Sequence, residues 1–333
     1  MSNATPHQKI AGGVAGCAGL LLAACSLNLA PAGFGPPSTP PAAVTPPAPS
    51  TISADQPTVD AEMLLLSLPT ATPYPNDQLI TIGRSVEGRE LTAWQFGQGP
   101  VTLALIGGIH GGYEFNSVVL VEQLAETVRS DPGLVLPGIR LVMVPTVNPD
   151  GVARGTELEG RFNANGVDLN RNWGCGWEPE SYWQDQTISP GPFPFSEPET
   201  LALRAYLLAM EPAAVIFYHS QFGAIFVGGC GEVGAASKWL GDLLSGATGY
   251  PNEVTFDYYE ISGTADDWLD ERGIPAVTIE LTNQTDPELE RNLIGLMALQ
   301  CHFALNGSTG AGPVVTAQVE SQCAGLKPYV PDQ

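Results

Sequence analysis

The chain is poor in positive charge. Its 333 residues carry 13 Lys and Arg, three of them lysines, against 35 Asp and Glu, so the formal net charge is −22. Nucleic-acid phosphates are held by clustered Lys and Arg, so this balance argues against a nucleic-acid partner and suits a soluble domain outside the cell. Histidine is scarcer still, with four in the chain: His7, His110, His219 and His302. His7 precedes an apolar export-type segment and His302 falls in a helical pattern near the C-terminus. That leaves His110 and His219, each just after a strand-like run. The apolar stretch from Ile10 is short and interrupted by glycine, unlike a transmembrane helix. No internal repeat is visible.

That stretch follows a single basic residue, Lys9, and ends in LLLAAC at Cys25. The pattern is that of a lipoprotein signal peptide over residues 1–25, with Cys25 lipidated and the mature chain anchored to the outer face of a bacterial membrane. An ordinary cleavable signal with an incidental cysteine is the alternative. Residues 26–72 form a Pro-rich linker, whose composition gives an extended spacer rather than a core. One α/β domain is expected over residues 73–308, then a tail over 309–333. With no room for a folded inhibitory segment before Tyr74, no zymogen is expected. Besides Cys17 and Cys25, four cysteines remain, and an even number in an exported chain implies two disulfides. Three pairings are open. Cys175–Cys230 is favoured because both flank polar segments of interest, and Cys301–Cys323 because it pins the tail to the last helix.

Apolar patterning gives the order of elements. LITIGRSV and ELTAWQFG read as a hairpin around Glu87-Gly88, and VTLALIGGI, IRLVMVPTVN, AAVIFYHS and AVTIEL as buried strands. EFNSVVLVEQLAETVRS, SEPETLALRAYLLAM, GAASKWLGDLLSG and DPELERNLIGLMALQCHFAL have helical spacing. Ser196 and Glu199 suggest a capping box, with Pro198 in the first turn. Alternating strands and helices predict an α/β sandwich around a mostly parallel or mixed sheet. His110, Asn148, His219 and Glu280 each fall at or just past a strand end, where open α/β sheets bind ligands.

The residue types at these ends suit a hydrolytic metal centre. His110, Glu114 and His219 supply two imidazoles and a carboxylate, which can hold one Zn²⁺ and leave a position open for water. Glu280 is a further carboxylate able to take that water's proton, and Arg161 and Arg171 can hold a substrate carboxylate. An unpaired carboxylate at the end of a buried strand is costly, so Glu280 needs such surroundings.

The segments GGIHGGYE, TVNPDG, GRFNANGVDLNRNW, PFSEPET, YHSQ, YYEISGTADDW and TIEL, in this order over residues 75–305, resemble the zinc metallocarboxypeptidases of the carboxypeptidase A/B type. The resemblance implies a three-layer α/β/α sandwich around a mixed, mostly parallel eight-stranded sheet. It makes His110, Glu114 and His219 the zinc ligands. The family usually spaces the first two three residues apart; here Tyr113 makes the interval four, so the loop must bulge. It also implies that Asp168 accepts a hydrogen bond from His110, that Glu280 is the general base and that Arg161 polarises the scissile carbonyl, with Arg154 a rival. Asn170 and Arg171 would grip the substrate's C-terminal carboxylate, and Tyr259 would close over it. Asp266, seven residues after Tyr259, would lie at the base of the pocket for the departing side chain and favour Lys or Arg; its alternative is to cap the helix near Asp267.

The expectation is therefore an extracytoplasmic zinc carboxypeptidase acting on peptides. A murein-peptide amidase with the same zinc site is the second reading. The third is an inactive peptide-binding lipoprotein, disfavoured by the presence of Glu280 beside a full ligand set.

Overall fold

The computed structural model describes residues 77–308 and 310–330. The signal segment with Cys25, the linker and the first residues of the domain lie outside the described residues. The strands are β1 (Asp77–Arg84), β2 (Glu90–Phe96), β3 (Val101–Ile106), β4 (Ile139–Val144), β5 (Ser181–Trp183), β6 (Gln186–Ile188), β7 (Ala214–Ser220), β8 (Ile225–Val227), β9 (Asn252–Val254) and β10 (Ala276–Leu281). Eight form one sheet in the order β1-β2-β4-β3-β7-β10-β8-β9, and β5 and β6 pair separately. The central neighbours β4, β3, β7 and β10 run parallel; β1 pairs β2, β2 pairs β4 and β8 pairs β10 antiparallel, and β9 runs parallel to β8. The sheet is mixed and mostly parallel at its core.

The helices are α1 (Phe115–Ser130), α2 (Pro149–Arg154), α3 (Pro198–Met210), α4 (Ala235–Thr248), α5 (Ala265–Asp270), α6 (Leu289–Asn306) and α7 (Ala317–Ala324). Strand alternation explains why they cover both faces. Leu103 and Leu105 of β3 pack in one cluster with Leu120 and Leu124 of α1, Leu244 of α4 and Leu299 of α6. Ala104 and Ile106, pointing the other way, join Leu203 and Leu207 of α3 and Trp268 of α5. Both faces being dry, β3 reads as a continuous apolar run. Fully burying each such side chain contributes about 1.5–3 kcal/mol.

Two local expectations are corrected. Ser196 and Glu199 form no capping box. Helix α3 has Glu197 at its N-cap, and Ser196 Oγ donates to Glu197 Oε1 at 2.7 Å. Glu199 is buried and accepts from Val86 N at 3.0 Å and Asn163 Nδ2 at 3.2 Å, so the start of the helix is tied to neighbouring loops. The last long helix begins at Leu289 rather than near Asp286, because Glu288 adopts a left-handed conformation at its N-cap and accepts from Thr282 N and Tyr250 Oη.

Two disulfides close the described chain. Cys175 is joined to Cys230, and Cys301 of α6 to Cys323 of α7.

Candidate active site

Three strand ends converge. After β3 the chain makes a tight turn at Gly108–Glu114, with Gly111 N bonded to Gly108 O and Tyr113 N to His110 O. Gly111 has φ +50°, and a Cβ there would lie 2.6 Å from Gly160 O, so only glycine fits. This turn absorbs the extra residue between His110 and Glu114 and leaves Glu114 as the N-cap of α1. His219 is on β7, directly opposite Glu280 of β10 in the parallel register.

His110 Nδ1 lies 2.7 Å from Glu114 Oε1, and His219 Nδ1 lies 3.0 Å from Glu114 Oε2 and 3.2 Å from His110 Nδ1. All three side chains are buried. His110 Nε2 meets Asp168 Oδ1 at 3.1 Å, which places the proton on Nε2 and turns the Nδ1 lone pair inward. Lone pairs crowded against a carboxylate repel each other unless a cation lies among them. Nitrogen and oxygen ligands about 2.0–2.1 Å from zinc stand roughly 3.3 Å apart in a tetrahedron, so this donor set fits Zn²⁺ with one position open.

The surrounding charges are ordered around that point. Burial alone would raise the Glu114 carboxyl, but His110 and His219 hold it well below the usual range. Asp168 is likewise depressed against its burial, by Arg161 and then His110. Arg161 is buried and bonds Asp168 Oδ2 through Nε at 2.9 Å and Nη2 at 2.8 Å, while Nη1 lies 3.4 Å from Glu114 Oε1. Glu280 goes the other way. Burial and the nearby Glu114 charge push its carboxyl up to about 8, against His219 and Arg161, and its buried Oε2 has no hydrogen-bond partner among the described residues. A cation held by His110, Glu114 and His219 would offset that push and favour the ionised form of Glu280, which can accept a proton.

The cleft continues past this centre, with a volume of about 530 Å³. Arg171 lines it, held by Asn170 O at 2.8 Å and Tyr182 O at 3.3 Å. Asn170 also lines it, while its Oδ1 accepts from Ala265 N at 3.0 Å and so ties the arginine segment to the start of α5. Tyr259 lines the same space, its hydroxyl raised by burial and opposed by Arg171 and Arg161. Asp266 faces the cleft from α5, 8% exposed, and its Oδ2 accepts from Thr278 Oγ1 at 3.1 Å. Thr278 lies two residues before Glu280 and therefore on the same face of β10. Beside it Asp267, pushed up to about 7 by burial and by the Asp266 charge, accepts from Gly229 N at 2.8 Å.

A family model described as zinc carboxypeptidase matches residues 69–227. Murein peptide amidase A of Escherichia coli K12 is 31% identical over 205 residues, covering 58% of this chain and 76% of that protein. The chain belongs to the zinc carboxypeptidase family. Human carboxypeptidase D is 30% identical over 159 residues, 41% of this chain and 10% of that much longer protein. Among solved structures, murein-tripeptide amidase of Escherichia coli O157 superposes with a TM-score of 0.51 at 27% identity, covering 69% of this chain and 93% of that one. Bovine thrombin-activatable fibrinolysis inhibitor gives 0.58 at 21% identity, covering 68% and 90%, a likeness of fold.

In this zinc carboxypeptidase-family chain the site residues read from sequence fall in or against one cleft, with Asp168 behind His110. Two polar residues singled out from sequence do not face it. Arg154 is spent on Asn163 O and Ala164 O, which leaves Arg161 as the arginine beside the metal centre. Asn148 caps α2 through Gly151 N and donates to Arg161 O at 3.2 Å, a structural role. The cleft also contains residues to which the sequence assigned no role: Tyr113, Trp183, Thr278 and an aromatic group of Phe222, Phe226, Phe256 and Tyr258. Tyr113 alone had a signal, as the residue lengthening the His110–Glu114 interval. The others come from separate loops and strands with no periodic pattern.

Proposed function

We propose that this zinc peptidase is a metallocarboxypeptidase that removes the C-terminal residue of peptides and favours a basic one. The observation that supports this most directly is a single cleft holding Arg171, Asp266 and the His110–Glu114–His219 centre. A guanidinium can bind both oxygens of a terminal carboxylate, and a buried carboxylate is compensated by a cationic side chain. Zinc, when bound, acidifies a water molecule and polarises the scissile carbonyl. Glu280 takes the proton from the attacking water and delivers it to the amine nitrogen as the C–N bond breaks. Arg161, fixed by Asp168, donates N–H to the carbonyl oxygen as that oxygen gains charge. Tyr259 closes the cleft over the departing residue. The Cys25 pattern supports action on the outer face of a bacterial membrane.

Identity to murein peptide amidase A over 76% of that protein favours a second reading, hydrolysis of cell-wall peptides at the same centre. Diaminopimelate carries a side-chain amine that Asp266 could meet. The two are separated by chelator-sensitive release of the last residue from peptides ending in Arg, Lys, Phe and diaminopimelate, with zinc content measured in parallel. Amidating the C-terminus should abolish turnover. Equal cleavage of amidated and free peptides would refute the exopeptidase reading.

A further inference from the structure

The β5–β6 hairpin stands apart from the main sheet, yet consecutive residues of β5 touch both cleft arginines. The Trp183 ring lies under the Arg161 guanidinium, 5.0 Å from its centroid, and Tyr182 O accepts from Arg171 Nε at 3.3 Å. Tyr113 buttresses Trp183 edge-on, with centroids 5.6 Å apart and planes at 85°. Ser181 Oγ meets Ser262 Oγ at 3.2 Å, tying the hairpin to the segment that follows Tyr259.

We infer that this hairpin is the brace of the two arginines, and that Trp183 is a positioning residue for Arg161. Asp168 grips one edge of the guanidinium through Nε and Nη2, which fixes two atoms but leaves the plane free to tilt about that edge. The Trp183 ring beneath Cζ restrains that tilt, because a guanidinium is attracted to an aromatic face as well as bonding through its edge. The remaining N–H groups then keep one direction, toward the metal centre, where Nη1 already lies 3.4 Å from Glu114 Oε1. Tyr113, the residue that lengthens the ligand interval, thus supports the arginine through Trp183. The aim of a hydrogen-bond donor matters most where charge develops, so the loss of the ring acts on turnover rather than on ground-state binding.

This inference rests on the proposed role of Arg161. The test uses the zinc-loaded protein and four variants: Trp183→Ala, Trp183→Phe, Arg161→Met and the double variant Trp183→Ala/Arg161→Met. Trp183→Leu fills the volume without a ring face and stands in if the alanine variant does not fold. Trp183→Ala is expected to lower kcat by about 3- to 30-fold, the range of a cation–π contact, with KM and zinc content nearly unchanged. Trp183→Phe restores most of the loss, and in the Arg161→Met background the alanine change adds nothing further. A second readout is independent of activity. The Arg161 Nε–H resonance, identified by its disappearance in Arg161→Met, should shift when the ring is removed. Equal effects of Trp183→Ala in both backgrounds, a loss confined to KM, or an unmoved Nε–H resonance would overturn the brace. If Arg161→Met alone leaves kcat unchanged, the carbonyl role of Arg161 fails, and the resonance still decides whether Trp183 holds it.

Discussion

Asp266→Ala tests whether the cleft reads a basic side chain. The Asp266 carboxylate is 8% exposed and held by one neutral hydroxyl, Thr278 Oγ1. No ion pair offsets its charge among the described residues, so a substrate ammonium or guanidinium would supply its counterion. A hydrogen bond to a charged group contributes about 1.5–3 kcal/mol, or about 10- to 150-fold in kcat/KM between Arg and an apolar residue. The alanine variant should lose that factor for peptides ending in Arg and gain slightly for those ending in Phe. Asp267 adds a pH signature. With its carboxyl pushed up to about 7 by burial and by Asp266, it is protonated at pH 6 and ionised at pH 8. The cleft floor beside Asp266 therefore gains negative charge from Asp267 as the pH rises. The Arg/Phe ratio should rise between pH 6 and 8 in the wild type, and the rise should vanish in Asp267→Asn. Initial rates on matched dansyl tripeptides over this range supply the ratios. A wild type that prefers Phe, or an Arg/Phe ratio unmoved by Asp266→Ala, would refute the reasoning.

Glu280→Gln keeps the shape of the side chain but cannot accept a proton; kcat should fall by about 10²- to 10⁴-fold with zinc retained, and a loss under tenfold removes Glu280 from the chemistry. His219→Ala removes one of three converging ligand atoms and should empty the site, as read by elemental analysis after dialysis; full zinc occupancy would disprove the ligand assignment. Replacing both Cys301 and Cys323 by Ser opens a loop of sequence separation 22 and should cost about 3 kcal/mol in denaturant unfolding, with kcat/KM unchanged because the bridge joins α6 to the C-terminal α7. A change in activity without a change in stability would count against that division.

Much of this was written locally. Mostly apolar runs marked β3, β4, β7 and β10 because a strand covered on both faces has few polar positions, and their polar ends located His110, His219 and Glu280. Composition and residue type named the metal donors, since a chain with so few histidines leaves little choice. Local patterns failed where a side chain had rival partners. Ser196 and Glu199 have the spacing of a capping box, yet Glu199 bonds to Val86 N and Asn163, over thirty residues away or more, and sequence spacing cannot weigh such contacts.

The tertiary structure decided direction and company. Arg154 and Arg161 are near equals in sequence; packing spends one on loop carbonyls and aims the other at the metal centre. Asp266 could have capped a helix, but α5 starts one residue earlier, at Ala265, and turns that carboxylate into the cleft onto Thr278. Trp183 carried no signal at all, because its importance lies in an arginine 22 residues earlier that only the fold brings beneath its ring. Residue type and strand ends set which chemistry is available, since these are properties of single residues and short runs. Which groups meet, which are dried and which charges face each other depend on long-range packing, and those determine what the chemistry acts on.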